Sequence, residues 1–379
     1  MTKHFPETHI DRAVVDTIAR YAREELAPAA QRIDETSMFA TCHLDSLAAV
    51  GLMGMNLPAE HGGAGVDPFT LFEAIAEMAG ACASTASMVT AHYLATDSIL
   101  HGGNTDQQAR FLRPAATEKA LGAFALTEPG AGSNPADMTT RALRSGNGYR
   151  LTGTKHFISN AGAADFIVVY AKTNLEAGAK GISAFVVDPR AGGVRIGLAE
   201  KTMGLKGGHV FEVVLDCEVG ADRRLGEEGT GLRTALKTLD AGRLDIAACC
   251  VGIAEAAFSA ACDWSKTRHV GGHPIGEFQG LQWMLADMAT DIAASRALGF
   301  VAALERAAGR RYSLPASMAK LHASEMVARV TDAALQIHGG YGFTRGLPLE
   351  RYVRDARIMR IYEGSSEIQR NIIARSVLT

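Results

Sequence analysis

The 379-residue sequence predicts an α+β multidomain fold: a helical N-terminal domain (1–120), an antiparallel β domain (121–230) and a helical C-terminal domain (231–379). Three observations carry this. Apolar residues recur at helical spacing from Asp11 to Leu112, regroup into short branched and aromatic runs between Gly122 and Asp216, and resume the helical period after Gly231.

In the first part, Val14, Ile18 and Tyr21, and then Leu71, Ile75 and Met78, each mark one helical face, with breaks at Pro58 and at His61–Gly65. In the second, Phe166–Tyr170, Ile182–Val187 and Val210–Leu215 read as strands. Ser145-Gly146-Asn147-Gly148 reads as a hairpin turn whose Asn-Gly supplies positive φ angles. In the third, Gly252–Lys266, Gln282–Ala308 and Ser317–His338 predict long helices. Neither an internal repeat nor a low-complexity tract interrupts the three parts.

Composition narrows the function classes. A formal net charge of -3 offers no basic field for nucleic acid. Met1–Ile10 lacks the apolar core of a secretory signal, and no uninterrupted apolar run approaches a membrane span, so a cytoplasmic protein is expected. Six cysteines show no CxxC spacing and predict buried reduced thiols, with Cys249 and Cys250 inside the apolar stretch Ile246–Ile253. His269 and His273 sit in a Gly-rich stretch without a Cys or carboxylate cluster, so no metal site is expected. Six arginines from Arg351 to Arg375 are interleaved with Asp355, Glu363 and Glu367, which makes a weak patch for an anionic polymer.

Two stretches carry candidate chemistry. Ala125–Asn134 begins as a strand and ends in Gly130-Ala131-Gly132-Ser133, small residues that let backbone amides approach a planar or anionic ligand; a tight surface turn is the competing reading. Pro135 and the missing third glycine disfavour a Rossmann fingerprint. Near the C terminus, Gly364 leaves the loop carrying Glu363 free to approach a ligand. A helix follows, opened by a capping box Ser366-Glu367-Ile368-Gln369 and with Ile368, Ile372 and Val377 on its apolar face. Glu363 there is either a general base or a partner for the helix dipole.

The loop Ala125–Asn134, the segment Gln336–Phe343, then Arg354–Arg357 and the stretch Ile361–Arg370, in this order, closely resemble the acyl-CoA dehydrogenase family, in particular its short and branched-chain, isobutyryl-CoA-type members. The likeness to these members rests on Phe157-Ile158-Ser159, on Gly242–Cys249 and on Ser317-Met318-Ala319-Lys320. It implies a β-barrel-like middle domain, a C-terminal four-helix bundle, FAD between them, an acyl-CoA substrate and an electron-transferring flavoprotein as partner. Neither nucleic acid nor a membrane is implied. Glu363 becomes the base; the alternative position in some relatives, just before Arg243, is here Gly242. The resemblance carries FAD contacts onto Phe124, Leu126, Thr127, Gly132, Ser133, Phe157, Ser159, Arg268, Gln279, Gln336, Gly339, Gly340, Ser365 and Glu367. It places Ser133, Asp240, Arg243 and Gly364 against the substrate, and gives Glu128 a structural role. Arg268 and Gln336 would serve a neighbouring subunit's cofactor, which implies a homo-oligomer, a tetramer built as a pair of dimers. The chain departs from the family at Phe157 for Trp, Ser159 for Thr, Asn134 for Asp and Gly271 for Phe. Two other classes remain: a flavoprotein of this fold recruited to oxygen chemistry, and a non-catalytic relative, which the presence of Glu363 disfavours.

Overall fold

The computed structural model describes residues 10–378. Asp11 caps α1 (Arg12–Tyr21) by accepting from the Ala13 and Val14 amides; a π-helical turn then leads into α2 (Ala27–Thr36). Helices α3 (Leu44–Ala49), α4 (Pro68–Ala81), α5 (Ala83–Gly102) and α6 (Thr105–Thr117) complete the first part. Asn104 and Gln107 form a capping box at the start of α6.

Strands β1 (Gly122–Ala125), β2 (Arg141–Ser145), β3 (Gly148–Ser159), β4 (Phe166–Lys172), β5 (Ile182–Val187), β6 (Val194–Ile196), β7 (Val210–Gly220) and β8 (Arg224–Leu225) form one sheet. Its order is β6-β7-β3-β2-β4-β5-β8, with β1 added beside β4. The antiparallel expectation holds for most pairs, but β1 runs parallel to β4, from Gly122 opposite Phe166 to Ala125 opposite Val169, and β2 meets β4 in parallel at Arg141 and Lys172. The hairpin falls where predicted, although the positive φ belongs to Gly146 (52°) and not to the Asn-Gly pair. Strands β4 and β5 are buried on both faces, which explains their unbroken apolar runs. Ile167, Val169, Phe185 and Val187 face the sheet's own core, while Val168, Tyr170, Ala184 and Val186 pack with Ala95, Ile99 and Leu112 of the helical part.

The third part holds α7 (Gly231–Thr267), a two-stranded ribbon of β9 (His269–Val270) and β10 (His273–Pro274), then α8 (Gln279–Ala307), α9 (Ser313–His338), the short α10 (Gly340–Phe343) and α11 (Leu349–Ala356), and α12 (Ser366–Leu378). Helices α7, α8, α9 and α12 pack as the bundle, and α4 and α5 lie against α7 from the other side. Enclosure on both sides explains the composition of α7, which is long and apolar enough to cross a membrane yet is mostly buried in protein. The thiols of Cys82, Cys217, Cys249 and Cys250 are buried as expected; Cys42 is exposed and Cys262 half-buried.

Candidate active site

The Glu363 loop is built from backbone conformation outward. Glu363 has φ 53° and Gly364 φ 92°, two successive left-handed residues that turn the chain sharply before α12. Two donors hold the turn. Lys320 Nζ of α9 donates to the Gly364 carbonyl at 2.7 Å, and Gln369 Nε2 donates to the same oxygen at 3.0 Å and to the Glu363 carbonyl at 3.2 Å. A Cβ at position 364 would lie 2.6 Å from that Gln369 nitrogen, so the approach requires glycine. The helix is capped one residue earlier than predicted: Ser365 Oγ accepts from the Ile368 amide at 3.4 Å, while Ser366 Oγ donates to Glu325. Val377 is exposed, so the apolar face of α12 does not extend to it.

The Glu363 side chain crosses to α7. A Cβ on Gly242 would meet Glu363 Oε2 at 2.2 Å and Leu94 Cδ2 at 2.7 Å, so the carboxylate occupies the space that a side chain at 242 would need. The residue as a whole is half-buried, but Oε2 is enclosed and accepts no hydrogen bond from the described residues. Burial pushes the Glu363 carboxyl up to about 7, against the opposing charges of Lys320 and Arg243. Its backbone N–H likewise has no acceptor among the described residues. An enclosed carboxylate with an unengaged oxygen, a pKa near neutrality and a free amide beside it can take a proton and donate a hydrogen bond to one ligand.

Arg243, one residue beyond Gly242, is 5% exposed and ion-paired to Asp240 at 2.5 Å; Asp240 in turn accepts from Ser313. The structure thus gathers Asp240, Arg243, Gly364 and Glu363 at one end of the α7–α9 pair. Ser133 is exposed on the loop after β1.

That loop is pinned from within. Glu128 forms a bridge with Ala131 and accepts from the Thr139 and Thr140 amides at 2.6 and 2.9 Å and from Lys155 Nζ at 2.9 Å. Burial alone would raise its pKa, but Lys155 and these donors hold it down to about 2, so Glu128 is structural and cannot serve as a base near neutrality. Gly132 has open space where a Cβ would sit, and Ser133 and Asn134 are exposed.

The neighbouring segment of β3 breaks the alternation expected of a strand. The register with β7 shifts between Lys155 and Ile158, and Phe157 takes φ 57°. The bulge leaves Phe157 61% exposed, edge-on to His156 at 4.2 Å, with Ser159 half-buried beyond it. Phe124 and Thr127 are half-buried and Leu126 is buried; Thr127 accepts from the His156 amide at 2.9 Å. Helix α5 joins this region to Glu363, because His92 Nδ1 accepts from the Gly122 amide at 2.9 Å and Leu94 meets Gly242.

The remaining predicted contacts form a second group. Arg268, Gly339 and Gly340 line a cleft of about 400 Å³ with Trp264, His338 and Tyr341, and neither glycine has a neighbour within 4 Å of a built Cβ. Arg268 lies 5.7 Å over the Tyr341 ring, and Gln279 and Gln336 are exposed. Gln336 is 16 residues along α9 from Lys320, about 24 Å at helical rise. Ser365 and Glu367 flank Glu363 instead, so within one chain they are separated from Gln336 and Arg268. An outward aromatic face, an open Gly-rich loop and a glycine cleft with an arginine fit a dinucleotide whose ring and phosphates are held by different surfaces. No cluster of His, Cys, Asp or Glu among the described residues suits a metal.

Lys320 entered the sequence reading only through the family likeness and Gln369 only as part of a capping box; that both hold the Glu363–Gly364 turn was not foreseen. The available signal was a lysine inside the buried stripe Ala316, Ala319, Ala323 and Met326 of α9.

The chain matches the acyl-CoA dehydrogenase N-terminal domain over residues 8–119, the middle domain over 123–217 and the C-terminal domain over 229–378. It is 38% identical over 375 residues to the short-chain specific acyl-CoA dehydrogenase of Clostridium acetobutylicum, covering 98% of this chain and 99% of that one. Its fold is similar to butyryl-CoA dehydrogenase from Megasphaera elsdenii, with TM-score 0.96 and 36% identity over 99% of this chain and 100% of that one. A chain from the structure reported as the electron transferring flavoprotein of Acidaminococcus fermentans gives TM-score 0.96 and 38% identity, covering 100% of each. With all three parts matched in order on a chain whose Glu363 site has the geometry of a buried base, this protein belongs to the acyl-CoA dehydrogenase family.

Proposed function

We propose that this FAD-dependent acyl-CoA dehydrogenase desaturates the Cα–Cβ bond of a short, unbranched or α-branched acyl-CoA to the trans-2-enoyl-CoA, with Glu363 as the base. The observation that carries the reading is the enclosed, unengaged Glu363 oxygen beside the free Glu363 amide. The amide would donate to the thioester carbonyl and acidify the Cα–H, a contribution of about 3 kcal/mol for one preorganised donor. Glu363 then removes that proton. FAD, when bound, would supply the acceptor for the β-hydrogen, which leaves as hydride. Phe157, Ser159, Thr127 and the open loop at Gly132 would hold its ring end.

Arg268, Gln336, Gly339 and Gly340 would hold the far end of a neighbouring subunit's FAD, since about 24 Å of α9 separates them from their own Glu363 loop. Such sharing requires at least a dimer, and the assembly proposed is a homotetramer built as a pair of dimers. Electrons would leave to an electron-transferring flavoprotein, supported by the likeness to a chain from the Acidaminococcus structure. The short-chain assignment is supported by the Clostridium and Megasphaera relatives, and the α-branched option by the Phe157-Ile158-Ser159 likeness. Anaerobic titration with isobutyryl-, butyryl-, octanoyl- and palmitoyl-CoA, read as flavin bleaching, tests it. The C4 substrates should bleach fastest, and a clear preference for palmitoyl-CoA would refute the short-chain reading.

A further inference from the structure

Lys320 is a charged residue in a place that disfavours charge. It is fully buried on the apolar stripe of α9, and its ammonium donates to the Gly364 carbonyl at 2.7 Å. That carbonyl does not need a cation, because Gln369 Nε2, a neutral donor from α12, already reaches it at 3.0 Å. Burying an ammonium costs several kcal/mol unless a counter-charge answers it. Two carboxylates are near enough to do so, Glu363 and Glu325. Glu325 is already engaged by Ser366 at 2.7 Å, Arg360 at 3.2 Å and Arg370 at 3.6 Å. Glu363 has no such partner.

Resting on the assignment of Glu363 as the base, we infer that Lys320 is a positioning residue: from α9 its ammonium holds the Glu363–Gly364 turn and supplies positive charge that favours the ionised form of the base. The groups facing Glu363 are Lys320 of α9, Arg243, Asp245 and Cys249 of α7, and the adjacent Tyr362. Those facing Lys320 are Glu363, Cys250, Arg243 and Glu325. Only Lys320 and Arg243 among them lower the Glu363 pKa, and Arg243 is already paired with Asp240. Burial depresses Lys320 to about 8, above the value of about 7 for Glu363, so the ammonium is charged where Glu363 begins to ionise. Removing the charge therefore moves the Glu363 titration upward.

The test uses holoenzyme and two variants, Lys320→Gln, which keeps a donor without charge, and Lys320→Met, which keeps neither. The Glu363 carboxyl band, isolated in infrared difference spectra against Glu363→Gln in each background, is titrated without substrate. The rising limb of flavin bleaching with butyryl-CoA is followed over the same pH range. Both variants should shift the carboxyl titration and the bleaching limb up by about one unit, a roughly tenfold loss of rate below the shifted midpoint that recovers at high pH. Lys320→Met should also lower the high-pH plateau, which Lys320→Gln restores. A Lys320→Gln titration that superimposes on the wild type overturns the inference, and so does failure of Lys320→Gln to hold flavin, since the fold is assigned no need for the charge. A wild type that bleaches with no acyl-CoA would fail the proposed function alone, because the infrared titration requires no substrate.

Discussion

Two glutamates of this chain sit in enclosed surroundings and are given opposite chemistry. Glu128 accepts from two backbone amides, the Thr139 hydroxyl and Lys155, and is held at about 2; Glu363 leaves Oε2 without a partner and rises to about 7. Each also has a buried lysine nearby. Lys155 contacts the Glu128 carboxylate at 2.9 Å, whereas Lys320 contacts the Gly364 carbonyl and reaches Glu363 only through space. The difference teaches that burial raises a carboxyl and direct donors overrule it, so the hydrogen-bond inventory decides which carboxylate is a base. Their linkage to stability has opposite sign. The folded state gains from the depressed Glu128 above the ordinary carboxylate range and loses that gain as pH falls towards 2, whereas Glu363 costs stability as pH rises through about 7.

The largest expected effect falls on the catalytic glutamate. Glu363→Gln keeps shape but cannot take a proton, so flavin bleaching should slow by about 10²- to 10⁴-fold while FAD content and acyl-CoA binding persist. Anaerobic stopped flow measures this, and wild-type bleaching would remove Glu363 from the mechanism. Glu128→Gln should act on the fold, because it leaves Lys155 buried without its counter-charge; a loss of about 3–5 kcal/mol in unfolding free energy is expected. Denaturation of the holoenzyme reads it, and bleaching per bound flavin should change far less than in Glu363→Gln.

Gly242→Ala sharpens the comparison by crowding the unpartnered oxygen. Its Cβ would stand 2.2 Å from Glu363 Oε2, so overpacking of about 1–3 kcal/mol should displace the base and slow bleaching about tenfold. Moving the carboxylate itself, by Gly242→Glu with Glu363→Gly, should recover part of the activity lost in Glu363→Gly, because the two positions point into one space. No recovery would mean that the turn, and not the space, places the base. The smallest effect is on pH: the wild-type limb should rise as Glu363 deprotonates through about 7, and a limb near the ordinary carboxylate range would refute the environment assigned to it.

The order of helical, β and helical parts was legible because periods of 3.6 and 2 are written directly in the apolar residues. Strands β4 and β5 were legible too, as short runs rich in branched and aromatic residues, but their burial on both faces came from packing. Glu363 and Gly364 could be singled out as a loop before a helix, and Gly242 as a position without a carboxylate. Other features were decided only by tertiary structure. The bulge that turns Phe157 outward arises from pairing with β7, which local alternation cannot reveal. The cap at Ser365 rather than Ser366 depends on Glu325 of α9 engaging the second hydroxyl. The contact of Glu363 with Gly242 and the reach of Lys320 to Gly364 join residues more than forty positions apart. Local periodicity and residue type settled which elements form and offered Glu363 as either a base or a helix-dipole partner, a choice that the family resemblance made. The packing of α5, α7, α9 and α12 decided which carboxylate is left without a donor, because desolvation and hydrogen bonding are properties of what surrounds a group in space.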